Sequence, residues 1–285
     1  MMDIVFVILH YRTHKDTIEC VESIRKKLDT ENYHIVAVDN CSSNGSLEIL
    51  KKEYANASDV TLIENSENLG FANGLNVGID YAREHLNPDF IALVNNDTQL
   101  VSSDITKVLK SKYEQYKFAV LGPMIITADG LCDVNPILEN PRDEKSTRAA
   151  IARYQKITKL CNMHIYGLYS FLKKFKKKNP RPQKITHLND LTDCKTHGSF
   201  WILSREYFSS FEKLNPRTFL YGEEDILYLS VVKEGLHTLY TPDILIYHKE
   251  NSSTDAALPN SADKARFVSK HCIDSLNIYL ELLKD

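Results

Sequence analysis

Residues 90–100 read FIALVNNDTQL, and the interpretation of the fold starts from this stretch. The apolar run from Phe90 to Val94 is typical of a buried strand. It stops abruptly at Asn95, Asn96 and Asp97 rather than at the Gly, Pro or Ser of an ordinary turn. Asn and Asp also tolerate left-handed backbone and bond their own main chain. The short motif alone therefore fits a turn as well as a ligand site.

Strand and helix patterns alternate along the first hundred residues. Apolar runs predict strands at IVFVILHY, HIVAVDN, VTLIENS and FIALVNNDT. Helical spacing between them predicts helices at KDTIECVESIRKKL, GSLEILKKEY and GLNVGIDYAREHL. This alternation predicts βαβ units and hence an α/β fold, with a mostly parallel central sheet flanked by helices.

Polar residues follow each of the four predicted strands. Tyr11 follows the first, Asp39 ends the second, residues 65–68 follow the third and residues 95–97 end the fourth. In parallel sheets, ligands bind beyond the carboxyl ends of the strands. Four polar strand ends at one edge favour a ligand site over a simple turn.

The pattern is looser beyond Gly122. Residues 129–150 predict a loop, and a helical region follows that ends at Pro180 and Pro182. THGSFWILSREYF predicts a strand running into a helix, and another helix begins near Glu223. LHTLYTPDILIYHKENSST predicts two short strands around Pro242, and the last twenty residues predict a closing amphipathic helix. No linker divides the chain, so we expect a single domain over residues 1–285.

Composition narrows the class of protein. The chain has 285 residues, 43% hydrophobic and 26% charged, with a net charge of -3. These values are ordinary for a globular protein and give no basic field for nucleic acid. Its six cysteines include no CxxC pair, which argues against zinc and against a disulfide scaffold. The N-terminus, MMDIVFVILHYR, lacks the basic region of a signal peptide. We therefore expect a cytoplasmic protein with reduced thiols.

A basic segment with interleaved aromatic residues runs from Phe171 to Lys178. One interpretation is a solvated helix end whose lysines favour the helix dipole. The alternative is a peripheral contact with anionic lipid at the inner face of the cell membrane.

Seven segments in order resemble family 2 glycosyltransferases: VILHYR, VAVDNCSSNGS, NLGFANGLNVGI, LVNNDT, HGSFWILSREYF, FLYGEEDILYL and YHKENSST. Within that family the chain resembles the rhamnosyltransferase-like branch that builds bacterial polysaccharides. The resemblance runs from residue 4 to about residue 254, with a gap around residues 130–190.

This resemblance implies a GT-A (Rossmann-like) fold, a nucleotide-sugar donor, a divalent cation (Mn²⁺ or Mg²⁺) and inversion at the anomeric carbon. Residues 1–122 would form the nucleotide-sugar-binding half, and residues 123–285 the acceptor-binding and catalytic half with the C-terminal helix. The branch favours dTDP-rhamnose as donor, with UDP-hexoses as the alternative. The acceptor would be a saccharide or a lipid-linked molecule.

A departing nucleoside diphosphate needs its charge neutralised, and a hard cation held by few protein oxygens does this. The segment Asn95-Asn96-Asp97 stands where the family carries its Asp-x-Asp motif. Asp97 then matches the metal-binding aspartate, while Asn95 replaces the first aspartate of that motif and would bond the ribose or a phosphate. Asn96, between them, also belongs to the expected donor-binding set. His248 matches a histidine that completes the coordination in related enzymes, although a lone strand-end histidine is also often exposed or simply packed.

Other donor-binding residues follow from the same resemblance. Asp39 matches the aspartate that accepts a hydrogen bond from the pyrimidine; the alternative is that it caps the following loop. Tyr11 would pack its ring on the base; the alternative is a plain tyrosine at a strand end. Glycines in NLGFANGLNVG allow close backbone approach at a helix start. From this motif the donor-binding set takes Asn68, Gly70, Phe71 and Asn76.

Inverting transfer needs a base to deprotonate the acceptor hydroxyl. YGEED supplies three carboxylates, and Glu223-Glu224 aligns with the family's Glu-Asp pair, so Glu224 is favoured as the base. Asp225 is the alternative if the register shifts by one, and helix-dipole compensation is the structural alternative for the whole cluster. The residues predicted to line the acceptor side are His197, Gly198, Ser199 and Trp201, with Trp201 either stacking on a sugar or filling the core.

Three other functions are conceivable for an α/β chain of this kind. Nucleotidyltransferases on similar sheets often use a basic Gly-rich loop, but HYRTHKD after the first strand has no glycine. Dinucleotide-binding oxidoreductases are disfavoured because no GxGxxG follows that strand. A catalytically weak, sugar-nucleotide-binding relative stays open, because Asn95 replaces an aspartate.

Overall fold

The four apolar runs of the first hundred residues form neighbouring parallel strands in the computed structural model, which describes residues 3–167, 186–249 and 261–284. The strands are β1 (Ile4–His10), β2 (Tyr33–Asp39), β3 (Val60–Glu64) and β4 (Phe90–Asn95). β1 lies between β2 and β4, and β3 pairs with β2. Their carboxyl ends therefore meet at one edge of the sheet, as the sequence predicted.

Helices connect these strands. They are α1 (His14–Lys27), α2 (Ser46–Glu53) and α3 (Gly70–Tyr81), and α3 continues into a π-helical turn, Ala82–Leu86. Later in the chain come α4 (Ile105–Tyr116), α5 (Glu144–Asn162), α6 (Arg205–Ser210), α7 (Glu223–Lys233) and α8 (Ser261–Leu282). None of these described helices is both long and apolar enough to cross a bilayer.

The second half of the chain extends the same sheet. It adds β5 (Thr98–Leu100), β6 (Val120–Thr127), β7 (Leu191–Thr192), β8 (Phe200–Ser204) and β9 (Thr238–His248). The strand order is β3-β2-β1-β4-β8-β6-β9-β5, with β7 on β9. β8 runs antiparallel between β4 and β6, while β9 is parallel to β6 and antiparallel to β5. The predicted α/β fold with a mostly parallel, helix-flanked sheet is confirmed.

Both faces of the sheet are buried. In β1, Phe6 and Ile8 face one apolar layer while Val5 and Val7 face the other. Successive side chains of a strand point to opposite faces, so a strand covered on both sides is apolar throughout. This explains why the first strands appear in the sequence as continuous apolar runs rather than as alternating ones.

Two expectations about the second half were wrong. Residues 129–150 are not all loop, because α5 begins at Glu144, where the side chain of Asp143 accepts a hydrogen bond from the Ser146 amide at 2.7 Å. The two strands predicted around Pro242 are one strand, β9, with a register shift against β6 between Pro123 and Met124. A bulge accommodates a proline, which has no N–H to give to the ladder, and lets the strand continue.

The segment Phe171–Lys178 lies outside the described residues, and so do Pro180 and Pro182. The closing helix was correctly predicted: α8 packs along α5, and the Tyr279 hydroxyl donates to the Arg142 carbonyl at 3.2 Å. The C-terminal helix therefore supports the loop that precedes α5.

Candidate functional site

Asp97 lies in the two-residue turn between β4 and β5. β5 pairs with the end of β9, which sets Thr98 opposite His248, and the Asp97 carbonyl accepts a hydrogen bond from the Lys249 amide at 3.0 Å. His248 Nε2 then lies 3.2 Å from Asp97 Oδ1. The strand pairing thus brings together the two residues that the sequence predicted as metal ligands.

This pair fits a divalent cation. Two adjacent ligands of an octahedral ion at about 2.1 Å lie about 3.0 Å apart, close to the separation seen between these two atoms. The side chain of His248 is 7% exposed, and its Nδ1 is buried with no hydrogen-bond partner in the described part of the chain. Within residues 3–167, 186–249 and 261–284 no cluster of three His, Cys, Asp or Glu side chains forms a metal site. An ion here would need further ligands, as Mg²⁺ takes from waters and substrate phosphates.

The two asparagines of the opening motif hold this turn in place. Asn96 is buried, and its Nδ2 donates to Thr13 Oγ1 at 2.8 Å and to Thr17 Oγ1 at 3.0 Å, both near the start of α1. The Asn95 amide donates to the Ser199 carbonyl at 2.9 Å. Asn96, expected to bind the donor, instead uses its amide to position the turn, while Asn95 stays half-buried two residues before Asp97.

Asp39 ends β2 and is 2% exposed. Its Oδ2 accepts a hydrogen bond from the Ser42 amide at 2.9 Å, which is the loop-capping role that the sequence left open. Its Oδ1 has no hydrogen-bond partner among the described residues and lies 3.6 Å from His10 Nε2. Burial lowers the pKa of His10 to about 4, although the nearby Asp39 carboxylate acts in the opposite direction.

Asn40 follows Asp39 at the polar end of the second strand, had no predicted role of its own, and holds the loop after β3 at the same edge. Its Nδ2 donates to Asn68 Oδ1 at 3.0 Å and to the Gly70 carbonyl at 2.9 Å, and its Oδ1 accepts from the Leu69 amide at 3.0 Å. Gly70 has φ +81°, and a Cβ there would lie 2.2 Å from the Phe219 carbonyl oxygen. The sequence signal was an amide directly after Asp39; its partners, which also include Asn65 Nδ2 at 3.2 Å, could be identified only from the fold.

The other predicted donor residues take different places. Tyr11 is half-buried directly after β1, with the Arg12 guanidinium over its ring at 5.2 Å. Phe71 packs edge-on against Trp201, with ring centroids 6.1 Å apart. Asn76 is buried and exchanges two hydrogen bonds with the Leu214 backbone, at 2.9 and 3.0 Å. The expectation that Asn76 binds the donor is therefore corrected: its amide ties α3 to the segment before α7.

The loop His197-Gly198-Ser199 connects the acidic cluster with the metal pair. The Gly198 amide donates to Glu224 Oε1 at 3.3 Å, and a Cβ at Gly198 would lie 2.8 Å from that oxygen. One residue earlier, the ring of His197 lies 5.7 Å from that of His248. Because Gly198 has no side chain, the loop passes close enough to hold Glu224 on one side and His248 on the other.

The three consecutive acids of α7 have three different environments. Asp225 accepts from Lys195 Nζ at 2.7 Å and lies 3.7 Å from Arg142 Nε. Glu224 is half-buried at the Gly198 loop. Glu223 is 8% exposed; burial, with the Glu224 charge as a further cause, raises its pKa to about 7.

Trp201 is fully buried, and its Nε1 donates to the Thr196 carbonyl at 3.2 Å. Of the two roles left open for it, the structure shows core filling, and stacking on a sugar is excluded because no ring face is exposed. Ser199 is also buried, with its Oγ 3.0 Å from His197 Nδ1, and so orients that ring.

Comparison with protein families gives one match over most of the chain. The family model for glycosyl transferase family 2 matches residues 5–209. A curated relative, the low-salt glycan biosynthesis hexosyltransferase Agl10 of Haloferax volcanii, is 24% identical over 222 residues, which is 78% of this chain. The chain spans only 59% of the length of that relative.

Solved structures share the fold at low identity. The structure of GalNAc-T7 with UDP, GalNAc and Mn²⁺ matches with a TM-score of 0.59 and 13% identity, covering 89% of this chain and 45% of that one. Residues 1–349 of S. aureus TarS match with a TM-score of 0.53 and 12% identity, covering 97% and 71%. The same S. aureus fragment in complex with UDP matches with a TM-score of 0.53 and 14% identity, covering 94% and 65%. The curled, mostly parallel sheet is thus that of GT-A glycosyltransferases.

Proposed function

The chain belongs to glycosyl transferase family 2, and on that premise we propose that it is an inverting, metal-dependent glycosyltransferase. It moves a sugar from a nucleotide sugar to a saccharide or lipid-linked acceptor, with residues 1–122 binding the donor and residues 123–285 the acceptor. One observation carries the proposal: the Gly198 loop joins the carboxylate of Glu224 to the His248–Asp97 pair.

On the donor side, Asp97 and His248 would hold the cation, which when bound would neutralise the charge of the diphosphate leaving group. Other side chains position these two ligands. Asn96 fixes the turn that carries Asp97, and Ser199 orients His197 beside His248. Both ligands are more than nine-tenths buried, and such burial would strengthen the interaction of the Asp97 charge with a bound ion.

On the acceptor side, Glu224 takes the proton of the attacking hydroxyl. The oxygen forms its bond to the anomeric carbon as the bond to the diphosphate breaks on the opposite face, which inverts the configuration. The proton remains on the Glu224 carboxyl until solvent removes it. Asp225 is less suited to this step because it already neutralises the buried ammonium of Lys195.

Two donors are considered. A UDP-hexose is supported by the hexosyltransferase named among the relatives and by UDP in two of the solved neighbours. dTDP-rhamnose is supported by the order and the residues of the seven sequence segments, which resemble the rhamnosyltransferase-like branch. Both are pyrimidine nucleotide sugars, and both fit an aspartate acceptor at the end of β2.

A thermal-shift panel of UDP- and dTDP-sugars, each with and without Mn²⁺, tests the function. The true donor should stabilise the protein by about 2.7 kcal/mol at a hundredfold excess over Kd, and more strongly with metal. Asp97→Ala should lose the effect of the metal. Asp104→Ala, which removes an exposed carboxylate before α4, should keep it. If no nucleotide sugar stabilises the wild type, the proposed function is wrong.

Hydrolysis or transfer assays separate an enzyme from a sugar-nucleotide-binding relative. We expect metal-stimulated release of the nucleoside diphosphate, with transfer of the sugar in inverted configuration to an acceptor. Binding without any release would support the binding relative, and retained configuration would contradict the mechanism.

A further inference from the structure

The apolar run of β1 ends in His10, a fully buried residue that the proposed function does not yet use. Its Nδ1 lies 2.7 Å from Thr17 Oγ1. Its Nε2 lies 3.0 Å from Ser46 Oγ and 3.6 Å from Asp39 Oδ1. The ring therefore contacts α1 on one side and the ends of β2 and α2 on the other.

The position of the ring proton follows from these partners. Because burial lowers the pKa of His10 to about 4, the ring is neutral near pH 7, with one N–H and one lone pair. The negative oxygen of Asp39 favours the tautomer that carries the proton on Nε2, since a lone pair facing it would be repelled. Nε2–H then donates to Ser46 Oγ with its positive end near the Asp39 carboxylate, and Nδ1 accepts from the Thr17 hydroxyl.

Thr17 extends this network to the metal turn. Its Oγ1 accepts a hydrogen bond from Asn96 Nδ2 at 3.0 Å, and Asn96 immediately precedes Asp97. A single series of hydrogen bonds thus runs from Asn96 through Thr17 to His10 and on to Ser46, and the Asp39 carboxylate lies 3.6 Å from the same ring nitrogen. All five side chains are buried, where hydrogen bonds in series polarise one another.

We propose that His10 is a positioning residue that holds the turn carrying Asp97 and the carboxylate of Asp39 in one fixed arrangement. The inference rests on the proposed function, in which Asp97 serves the diphosphate and Asp39 the base of the same nucleotide. His10 itself touches neither the diphosphate nor the base. It acts on the Asp97 turn through Nδ1 and on Asp39 through Nε2, and this difference makes its role testable.

Two substitutions separate the two nitrogens. Asn places its amide near the position of Nδ1, so His10→Asn keeps the bond to Thr17 and loses the one towards Ser46 and Asp39. Gln reaches the position of Nε2, so His10→Gln does the reverse. The probes are uridine in the absence of metal, which reports the base side, and the Mn²⁺ concentration required for UDP binding, which reports the metal side.

We expect a crossed pattern. His10→Asn should weaken uridine binding by about three- to tenfold, the range for one buried hydrogen bond, with an unchanged Mn²⁺ requirement. His10→Gln should raise the Mn²⁺ requirement by a similar factor and keep uridine binding. The matched control is His34→Asn in β2, where His34 Nε2 bonds Thr61 Oγ1 at 2.9 Å at the other end of the strand; neither probe should change.

Thermal melts of all three variants complete the experiment. If both His10 variants weaken both probes in proportion to their loss of melting temperature, His10 is only structural and the inference is wrong. It is equally wrong if neither probe responds. A wild type that binds neither uridine nor thymidine, and neither UDP nor dTDP with Mn²⁺, contradicts instead the proposed function, which is a distinguishable result; if only the thymine nucleotides bind, they replace uridine and UDP as the probes.

Discussion

The donor edge, formed by the carboxyl ends of β1 to β4, and the three acids at the start of α7 both carry candidate functional groups. The two regions differ in how the fold positions those groups. At the donor edge, the side-chain amides of Asn40 and Asn96 donate hydrogen bonds within the protein, and one oxygen of Asp39 caps a loop. On α7, three consecutive carboxylates meet three different surroundings, from the ion pair of Asp225 to the buried Glu223.

The difference shows two ways of making a site. At the donor edge, parallel strands place their ends together, and a rigid network then fixes a few atoms. On α7, side chains that are adjacent in sequence project about 100° apart on the helix, so each meets another part of the fold. Position along the chain is a good guide to role in the first region and a poor one in the second.

The largest effect is expected for Glu224→Gln. If Glu224 is the base, kcat should fall by about 10²–10⁴-fold, while donor affinity stays nearly unchanged because other residues bind the nucleotide. The amide keeps the size of the side chain and its contact with the Gly198 amide. Steady-state kinetics with a defined acceptor, together with UDP binding by calorimetry, provides the measurement. Full activity in this variant would remove the main distinction between the two regions.

The sequence predicted the first region well for a physical reason. Ile4–His10 and Phe90–Asn95 are apolar because both faces of each strand are covered, and parallel pairing alone then brings Asp39 to the edge that carries Asn95. The meeting of Asp97 with His248 depended on β5 pairing with the end of β9. Only the family resemblance suggested that these two residues meet, since no local sequence pattern indicates it.

The environments of the α7 acids were beyond the reach of sequence. Nothing in YGEED indicates that Lys195 neutralises Asp225 or that burial raises the pKa of Glu223. Likewise, the sequence allowed its single tryptophan, Trp201, either to stack on a sugar or to fill the core, and only the fold shows that it is buried. Such outcomes depend on which surface each side chain meets after folding, and contacts between distant segments decide that.

The second prediction concerns Glu223, whose pKa burial raises from 4.5 to about 7. The folded protein then retains a proton that the unfolded chain releases, so stability falls as the pH rises from about 4.5 to about 7. The full cost, about 3 kcal/mol, applies above that window. Glu223→Gln removes this cost, so the variant should exceed the wild type in stability at pH 8, with little difference near pH 4.5.

Urea unfolding at the two pH values measures this effect. Glu234→Gln, which changes an exposed carboxylate at the end of the same helix, is the control and should show no such pH-dependent gain. If the two variants behave alike, burial does not raise the pKa of Glu223, and the three acids of α7 differ less than their burial indicates.

The third prediction is that Asp225→Asn lowers stability rather than turnover. The buried ammonium of Lys195 would lose its charged partner, and a hydrogen bond between charged groups is worth about 1.5–3 kcal/mol. We expect a loss of about 2 kcal/mol in unfolding free energy, with kcat per folded molecule unchanged. Asp263→Asn, in an exposed pair with Arg266, should cost less than about 1 kcal/mol. If turnover instead falls and Glu224→Gln remains active, the base is Asp225.

The smallest effect is expected at Asp39. Asp39→Asn keeps a carbonyl for the Ser42 amide, so the loop remains capped, but it removes the charge from the oxygen that has no described hydrogen-bond partner. If that oxygen reads the pyrimidine, uridine affinity should fall by about tenfold, about 1.5 kcal/mol. Asp29→Asn is the matched control, because Asp29 also accepts backbone N–H groups, from Thr106 and Lys107, but lies away from the site. Competition binding with uridine, without metal, measures both variants. Unchanged affinity in both would make Asp39 a loop cap and no more, and the donor edge would then recognise its nucleotide through the metal turn alone.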